Sequence, residues 1–365
     1  MVAIDDMACV KVGCDNFGKP GVDIVGHGWF MTKSGRRQRY RCKVCGGTTS
    51  TNTRTAYSGL RCTRSEFDLV ASLRVEGLSV SATARVTGRS RNTITRWLER
   101  ASGAAERFNR KNLRDFEIVE LRADELFTFI GNKSRAIWLF AIIEVSSRLW
   151  AGSRLGRRSY RNTKAVFNDI LLRGRLVGLP LIATHGFQYY FTVIVRLMGP
   201  ACVYGQVLKT RRNNRVVRVE RRVKIGTASR LRDALLESED SETLNTSFVE
   251  RLNLTIRQGS AYLRRRSTFH ARCEAQLHGH VELLRCHYNF VRPHGALKFG
   301  QETRTPAMQA GVVSRPLTWR NIFTARDLSS GLIVVVRLSV AIEPRESGAA
   351  QAARLSWAHE QRAAA

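Results

Sequence analysis

The alternation of strand and helix patterns along residues 116–258 constrains the fold of this chain more than any other feature. In chain order the pattern predicts three strands, a helix, a strand, a helix, a strand and a helix, at residues 118–123, 136–145, 149–155, 160–172, 179–184, 187–197, 201–207 and 245–258. Strands that alternate with helices in this way form a mixed sheet covered by helices. We therefore expect an α/β domain.

Two acidic residues stand at informative positions in this alternation. The order β-β-β-α-β-α-β-α is that of the ribonuclease-H-like fold, with a mixed five-stranded sheet. That fold places acidic ligands at the end of the first strand, just after the fourth strand and on the helix after the fifth. Asp124 and Glu250 meet the first and third positions, whereas His185 stands at the second. We expect the three side chains to converge.

The helix predicted at residues 245–258 carries polar groups on one face. Glu250, Asn253 and Arg257 follow one another at helical spacing. The set suits one metal-binding carboxylate beside two groups, Asn253 and Arg257, that bind DNA phosphates. A solvated helix face is the alternative.

The charge of the chain indicates its partner. Sixty Lys and Arg residues against 30 Asp and Glu residues give a formal charge of +30 and a pI near 11.0. Nucleic acid is the first expected partner, and an anionic membrane surface is the second. The apolar runs at 136–143 and 331–342 are too short or too interrupted to span a bilayer, and no signal peptide opens the chain. We expect a cytoplasmic, nucleoid-associated protein.

Four cysteines near the start of the chain are spaced like metal ligands. Cys9 and Cys14 form one pair, and Cys42 and Cys45, followed by two glycines, form the other. Two such pairs around a β-hairpin predict a zinc ribbon over residues 1–60, with one structural Zn²⁺ held by four thiolates. Four unconnected cysteines in a reducing compartment are the alternative.

Residues 61–101 have the pattern of a helix-turn-helix domain. Helices are predicted at 66–76, 79–86 and 90–100, with a glycine in the last turn. The side chains expected to face DNA are polar or basic and belong to the start of the third helix: Ser90, Arg91, Asn92, Thr93 and Arg96. A helical hairpin with a solvated basic face is the alternative. The small, basic segment 102–115 is predicted to be a linker.

The other segments carry weaker signals. The basic insertion 208–225 predicts a two-stranded ribbon whose Arg211 and Arg212 contact DNA, or else a solvated hairpin. The domain that contains it is expected to span residues 116–310. The extension 311–365 is predicted to be largely irregular, with no packed structure from about residue 324 onward.

Seven segments together resemble the DDE transposases of bacterial insertion sequences, specifically those like insertion sequence one. The resemblance covers roughly residues 8–325 and rests on RYRCKVCGG, GLSVSATARVTGRSRNTITRWLERA, ELRADELFTFIGNK, LIATHGFQYY, NTSFVERLNLTIRQ, HYNFVRPHGAL and TPAM. It implies an oligomer that binds the terminal inverted repeats of its element and a target DNA. It further implies that Asp124 and Glu250 bind catalytic Mg²⁺ or Mn²⁺, with a third acid at position 185.

His185 departs from that pattern, since imidazole is a poor ligand for Mg²⁺ and carries no negative charge at neutral pH. We therefore expect a transposase whose DNA cleavage and strand transfer are impaired. Two alternatives belong to other classes. One is an inactive DNA-binding protein that represses related elements or acts as a decoy. The other is a nuclease that uses Asp124, His185 and Glu250 with a later transition metal.

Overall fold

The computed structural model describes residues 7–32, 35–213, 215–238 and 242–326. Its first element is a small antiparallel sheet of three strands, β1 (Ile24–Thr32), β2 (Gly35–Cys42) and β3 (Thr48–Ser50), in that order. A few side chains pack inside it, among them Met7, Ile24 and Tyr40. So small an apolar cluster provides little stability by itself.

Three helices follow, α1 (Arg64–Val75), α2 (Val80–Thr87) and α3 (Arg91–Asn112). Each begins at a capping hydroxyl that accepts a backbone hydrogen bond, and these caps are Thr63, Ser79 and Ser90. Gly88 ends α2 in the left-handed region, with φ of 65°, and so allows the sharp turn into α3. The three predicted helices are present.

The predicted linker at residues 102–115 is wrong for most of its length, because α3 continues without interruption to Asn112. Ala101, Ala104, Ala105 and Phe108 recur at helical spacing and form an apolar stripe on α3. This stripe packs against a later helix, α8 (Glu274–Cys286). Small residues in this segment favour close helix packing as well as a linker.

The large sheet has six strands, β4 (Phe116–Phe129), β5 (Ala136–Glu144), β6 (Trp150–Gly156), β7 (Gly174–His185), β8 (Val203–Arg212) and β9 (Arg215–Ile225). Their order is β6-β5-β4-β7-β8-β9. The pairs β4–β7 and β7–β8 are parallel, and the other pairs are antiparallel. The sheet is mixed, as predicted, but has six strands instead of five. The additional strand comes from the basic insertion, which extends the sheet edge along β8.

Helices cover this sheet and complete the domain. Besides α8, they are α4 (Tyr160–Arg173), α5 (Gln188–Leu197), α6 (Ala228–Leu236) and α7 (Ser247–Gln258). Helix α6 was not predicted. A 3₁₀ turn spans Gly199–Ala201, a π-helical turn His287–Val291 and a second 3₁₀ turn Gly295–Leu297. The hairpin β10 (Lys298–Phe299) and β11 (Glu302–Thr303) and the short helices α9 (Pro306–Gln309) and α10 (Trp319–Thr324) follow.

Helix α10 gives packed structure to the first part of the extension 311–365, which the sequence predicts to be largely irregular. Its Phe323 ring stacks on Trp319 at 5.1 Å and meets the edge of Phe67 from α1 at 5.3 Å. Trp319 also donates a hydrogen bond to Ser72 of α1. This helix therefore completes the apolar core of the three-helix domain. Residues 327–365, which include the remainder of that predicted extension, lie outside the described residues.

Candidate DNA interface and acidic site

Parallel pairing of β4 and β7 brings Asp124 and His185 side by side where that pairing ends. The prediction that the first strand ends at Asp124 is wrong, because β4 continues to Phe129 and pairs there with β5. Ala123 lies opposite Thr184 in the register, so the next residue on each strand is Asp124 or His185. Gly186 follows immediately, and a side chain there would overlap Leu208 of β8. The absence of a side chain at position 186 lets Leu208 pack against the backbone directly behind His185.

Helix α7 places Glu250 beside these two residues. His185 Nε2 lies 3.4 Å from a carboxylate oxygen of Glu250 and 3.8 Å from one of Asp124. The structure thus brings the three residues of the predicted site together, although their catalytic role stays a prediction. All three side chains are partly accessible, with Glu250 the most exposed at 44%.

Lys209, which the sequence analysis missed, forms an ion pair with Glu250. It lies on β8 two residues beyond Val207, the partner of His185 in the sheet register. Thr246 adds a hydrogen bond of 2.7 Å to the same carboxylate oxygen. These contacts, led by that with His185, lower the pKa of Glu250 to about 2. No local signal distinguishes this lysine from the other basic residues of its segment.

The pKa values of Asp124 and His185 are both raised, but for different reasons. Burial raises the pKa of Asp124, although the charge of His185 opposes this effect. Burial alone would lower the pKa of His185, but the hydrogen bond with Glu250 and the charge of Asp124 outweigh it, so the pKa is raised. Asn253 donates a 2.7 Å hydrogen bond to Asp124. Each carboxylate therefore already has a protein partner.

This arrangement does not fit a pair of Mg²⁺ ions. Magnesium sites need carboxylate oxygens that are free to bind the ions. Here an amide occupies an oxygen of Asp124, while an ammonium and an imidazole occupy one of Glu250. Glu125 offers no replacement, because its buried carboxylate pairs with Arg158 at 3.2 Å.

A buried polar network fixes the start of α7. Arg122 on β4 is 1% exposed and pairs with Glu120 at 2.6 Å. Its guanidinium also donates to Asn245 at 2.5 Å, and Asn245 accepts the backbone N–H of Ser247 at 2.9 Å. A charge buried this deeply is stable only when it is paired. The network therefore holds the helix that carries Glu250 against the first strand of the sheet.

The four N-terminal cysteines form the second cluster of chemical interest. Their sulfur atoms all lie within 4.8 Å of one another. Cys9 and Cys45 are 3.5 Å apart, and Cys14 and Cys42 are 3.9 Å apart. Zn–S bonds of about 2.3 Å in a tetrahedron imply sulfur atoms about 3.8 Å apart. This is a possible structural zinc site, and within the described residues no other three His, Cys, Asp or Glu side chains bring their ligand atoms together this closely.

The predicted DNA-contacting residues of α3 lie on its exposed surface. Ser90, Arg91, Asn92 and Arg96 are exposed and Thr93 is partly exposed, whereas Ile94 and Leu98 point into the core. Ser90 caps the helix through the backbone N–H of Thr93. The positive end of the α3 dipole and these polar groups thus face solvent together, as binding to phosphate requires.

The other residues predicted to bind DNA divide into two groups. Arg211 and Arg212 are exposed near the tip of the β8–β9 hairpin. In contrast, Asn253 is buried against Asp124, and Arg257 donates to the backbone oxygen of Leu263 at 2.8 Å. These last two side chains are therefore engaged within the protein.

A family model described as a Homeodomain-like domain matches residues 69–107, which span most of α1, all of α2 and most of α3. No curated protein with significant similarity to the chain was found. Within the described residues, no helix is long and apolar enough to cross a membrane. The chain thus contains a Homeodomain-like helix-turn-helix domain, which indicates DNA binding, next to a possible zinc site and a mixed α/β sheet domain.

Proposed function

We propose that this protein binds double-stranded DNA as a relative of insertion-sequence transposases whose own cleavage and strand-transfer activity is impaired. The exposed polar start of α3, within the Homeodomain-like match, is the observation that carries the DNA-binding part. On this proposal the partners are the terminal inverted repeats of an element and a target DNA. The protein acts on nucleoid DNA in the cytoplasm as an oligomer.

The layout of the sheet supports the transposase relationship. Counting from β4, the predicted strands lie in the order third, second, first, fourth and fifth, as in a ribonuclease-H-like sheet. Asp124 lies on the first of these strands, and Glu250 lies on α7, the second helix after β9. We therefore propose a ribonuclease-H-like domain, extended by β9.

The impairment is supported by the chain of contacts from Lys209 through Glu250 and His185 to Asp124. Two carboxylates face one ammonium and one imidazole whose pKa is raised, so the site has little net negative charge to attract divalent cations. We therefore propose no catalytic step through magnesium. A nuclease that uses a later metal is the second candidate, because imidazole with two carboxylates suits such ions.

Binding is tested with the full-length protein and duplexes selected from a random library. Arg91→Ala and Arg96→Ala should each weaken binding by about 1–3 kcal/mol if they contact bases, and should reduce the salt slope by about 1 if they contact phosphate. Arg161→Ala, an exposed change on α4, is the matched control. Equal affinities for all four proteins would refute the role of α3.

Cleavage is tested on the selected duplexes with Mg²⁺ and, separately, with Mn²⁺. We expect no cleavage in Mg²⁺. Efficient cleavage in Mg²⁺ that disappears in Glu250→Gln would overturn the impairment. Cleavage in Mn²⁺ alone that requires both His185 and Glu250 would favour the later-metal nuclease.

A further inference from the structure

A cavity of about 380 Å³, the seam cavity, lies between the β1–β2 hairpin and the first turn of α1. Four arginines line it: Arg36, Arg37, Arg64 and Arg320. Trp29 forms part of its wall, half exposed, with the guanidinium of Arg36 4.7 Å from its ring centre. The described lining contains no acidic residue. The size is within the range of about 300–1,000 Å³ typical of ligand sites.

Arg64 is held in place by neutral partners. Arg64 donates to the side-chain oxygens of Asn52 at 3.0 Å and Thr51 at 3.1 Å. Arg64 and Arg320 each lie 5.3 Å from the ring of Tyr57. Burial and the neighbouring Arg320 both lower the pKa of Arg64. Like charges gathered on neutral supports form a site that gains free energy when an anion binds.

Asp68 is an acidic neighbour of this group. It pairs with Arg320 at 3.1 Å and offsets part of its charge. Because Asp68 does not line the cavity, the charge presented to the cavity remains positive.

An ion pair links the edge of the cavity to the proposed DNA-binding surface. Glu66, in the first turn of α1, pairs with Arg89, which immediately precedes the cap residue of α3. In helix-turn-helix proteins the start of the recognition helix contacts bases, so backbone phosphates must pass close beside it. The seam cavity is therefore adjacent to the path of the DNA backbone.

We propose that the seam cavity binds a backbone phosphate of the duplex that flanks the site contacted by α3, with Trp29 packed against the adjoining sugar. This inference rests on the proposed DNA binding and extends the contact beyond the Homeodomain-like segment. Arginine provides the planar, multiple donors that suit phosphate oxygens. The N-terminal sheet then adds affinity and fixes the position of the protein along the duplex without contacting bases.

Salt dependence of binding by the full-length, zinc-loaded protein tests the proposal. Arg36→Ala should reduce the slope of log K against log salt by about 0.9, the loss of one phosphate contact. Arg36→Lys keeps the charge and should keep most of the slope. Arg161→Ala removes an exposed arginine from α4 and should leave the slope unchanged. Zinc content and melting temperature must match those of the unsubstituted protein.

A second measurement locates the phosphate. Single methylphosphonate groups are placed in turn along each strand of the selected duplex. One position beside the α3 site should weaken the unsubstituted protein several-fold and leave Arg36→Ala unaffected. If every position weakens both proteins equally and the slopes agree, the cavity proposal is overturned while DNA binding stands. If the unsubstituted protein binds no duplex, the proposed function fails with it.

Discussion

Replacing His185 and Lys209 should convert the acidic site into one that binds divalent cations. His185→Asp adds a carboxylate where the imidazole now lies within 4 Å of Asp124 and Glu250. Lys209→Met removes the ammonium that pairs with Glu250. The single variants each make the site more negative by about one charge, and the double variant does so by two.

Coulomb's law sets the size of the expected gain. One unit charge about 4 Å from a divalent ion contributes about 8 kcal/mol at an effective dielectric constant of 20, but only about 2 kcal/mol at that of water. Since Glu250 is 44% exposed and Lys209 24%, screening by solvent favours the lower value. About 2 kcal/mol corresponds to a roughly 30-fold decrease in Kd for each change.

Isothermal titration with MgCl₂ measures this gain directly. His27→Asp makes the same replacement at an exposed position on β1 and controls for net charge. His185→Asp combined with Glu250→Gln should lose the gain, because the new carboxylate then lacks its partner. If His185→Asp binds Mg²⁺ no better than His27→Asp, the missing negative charge at position 185 is not what limits metal binding. That result would refute the electrostatic account of this site.

Three further predictions concern stability and titration. Cys42→Ser should abolish stoichiometric zinc binding. It should also remove the hydrogen-exchange protection of the N-terminal sheet, because the apolar cluster of that sheet is small. Metal analysis that still finds one zinc per chain would contradict this. Asn109→Ala should lower the free energy of unfolding by about 1–3 kcal/mol, because the buried Asn109 amide donates to the carboxylate and backbone oxygens of Glu282. Asn112→Ala, near the end of the same helix, should cost less in the same denaturant titration. The raised pKa of His185 predicts stability that is present below the unfolded value of about 6.5 and is lost as pH rises through the folded value. NMR titration of the imidazole checks this, and a folded pKa at or below 6.5 would count against the contacts with the two acids.

Local patterns predicted the elements of this chain well where periodicity and caps agreed. The strand before His185 is an apolar run that ends on a polar residue, and its parallel pairing with β4 brings His185 beside Asp124. Cysteine spacing likewise predicted the N-terminal cluster, since four thiols in two short pairs have few ways to be buried together.

Long-range contacts explain most of what the sequence did not reveal. Lys209 is one basic residue among many in its segment, and only the sheet register distinguishes it from its neighbours. The position of α10 depends on an aromatic cluster between Phe323 and Phe67, which are far apart in sequence. No local pattern specifies such pairings, because they are selected by burial in the completed core.

The length of α3 has a consequence for DNA geometry. Its 22 residues span about 33 Å, close to the 34–36 Å of one turn of B-DNA. The buried Asn109 ties the far end of the helix to α8, while Ser90 begins its exposed end. Lengthening α3 by a single residue would rotate its two ends relative to each other by about 100° and separate them by only about 1.5 Å. A change in the length of α3 that keeps the sheet domain in the same orientation relative to Ser90 must therefore come in whole helical turns.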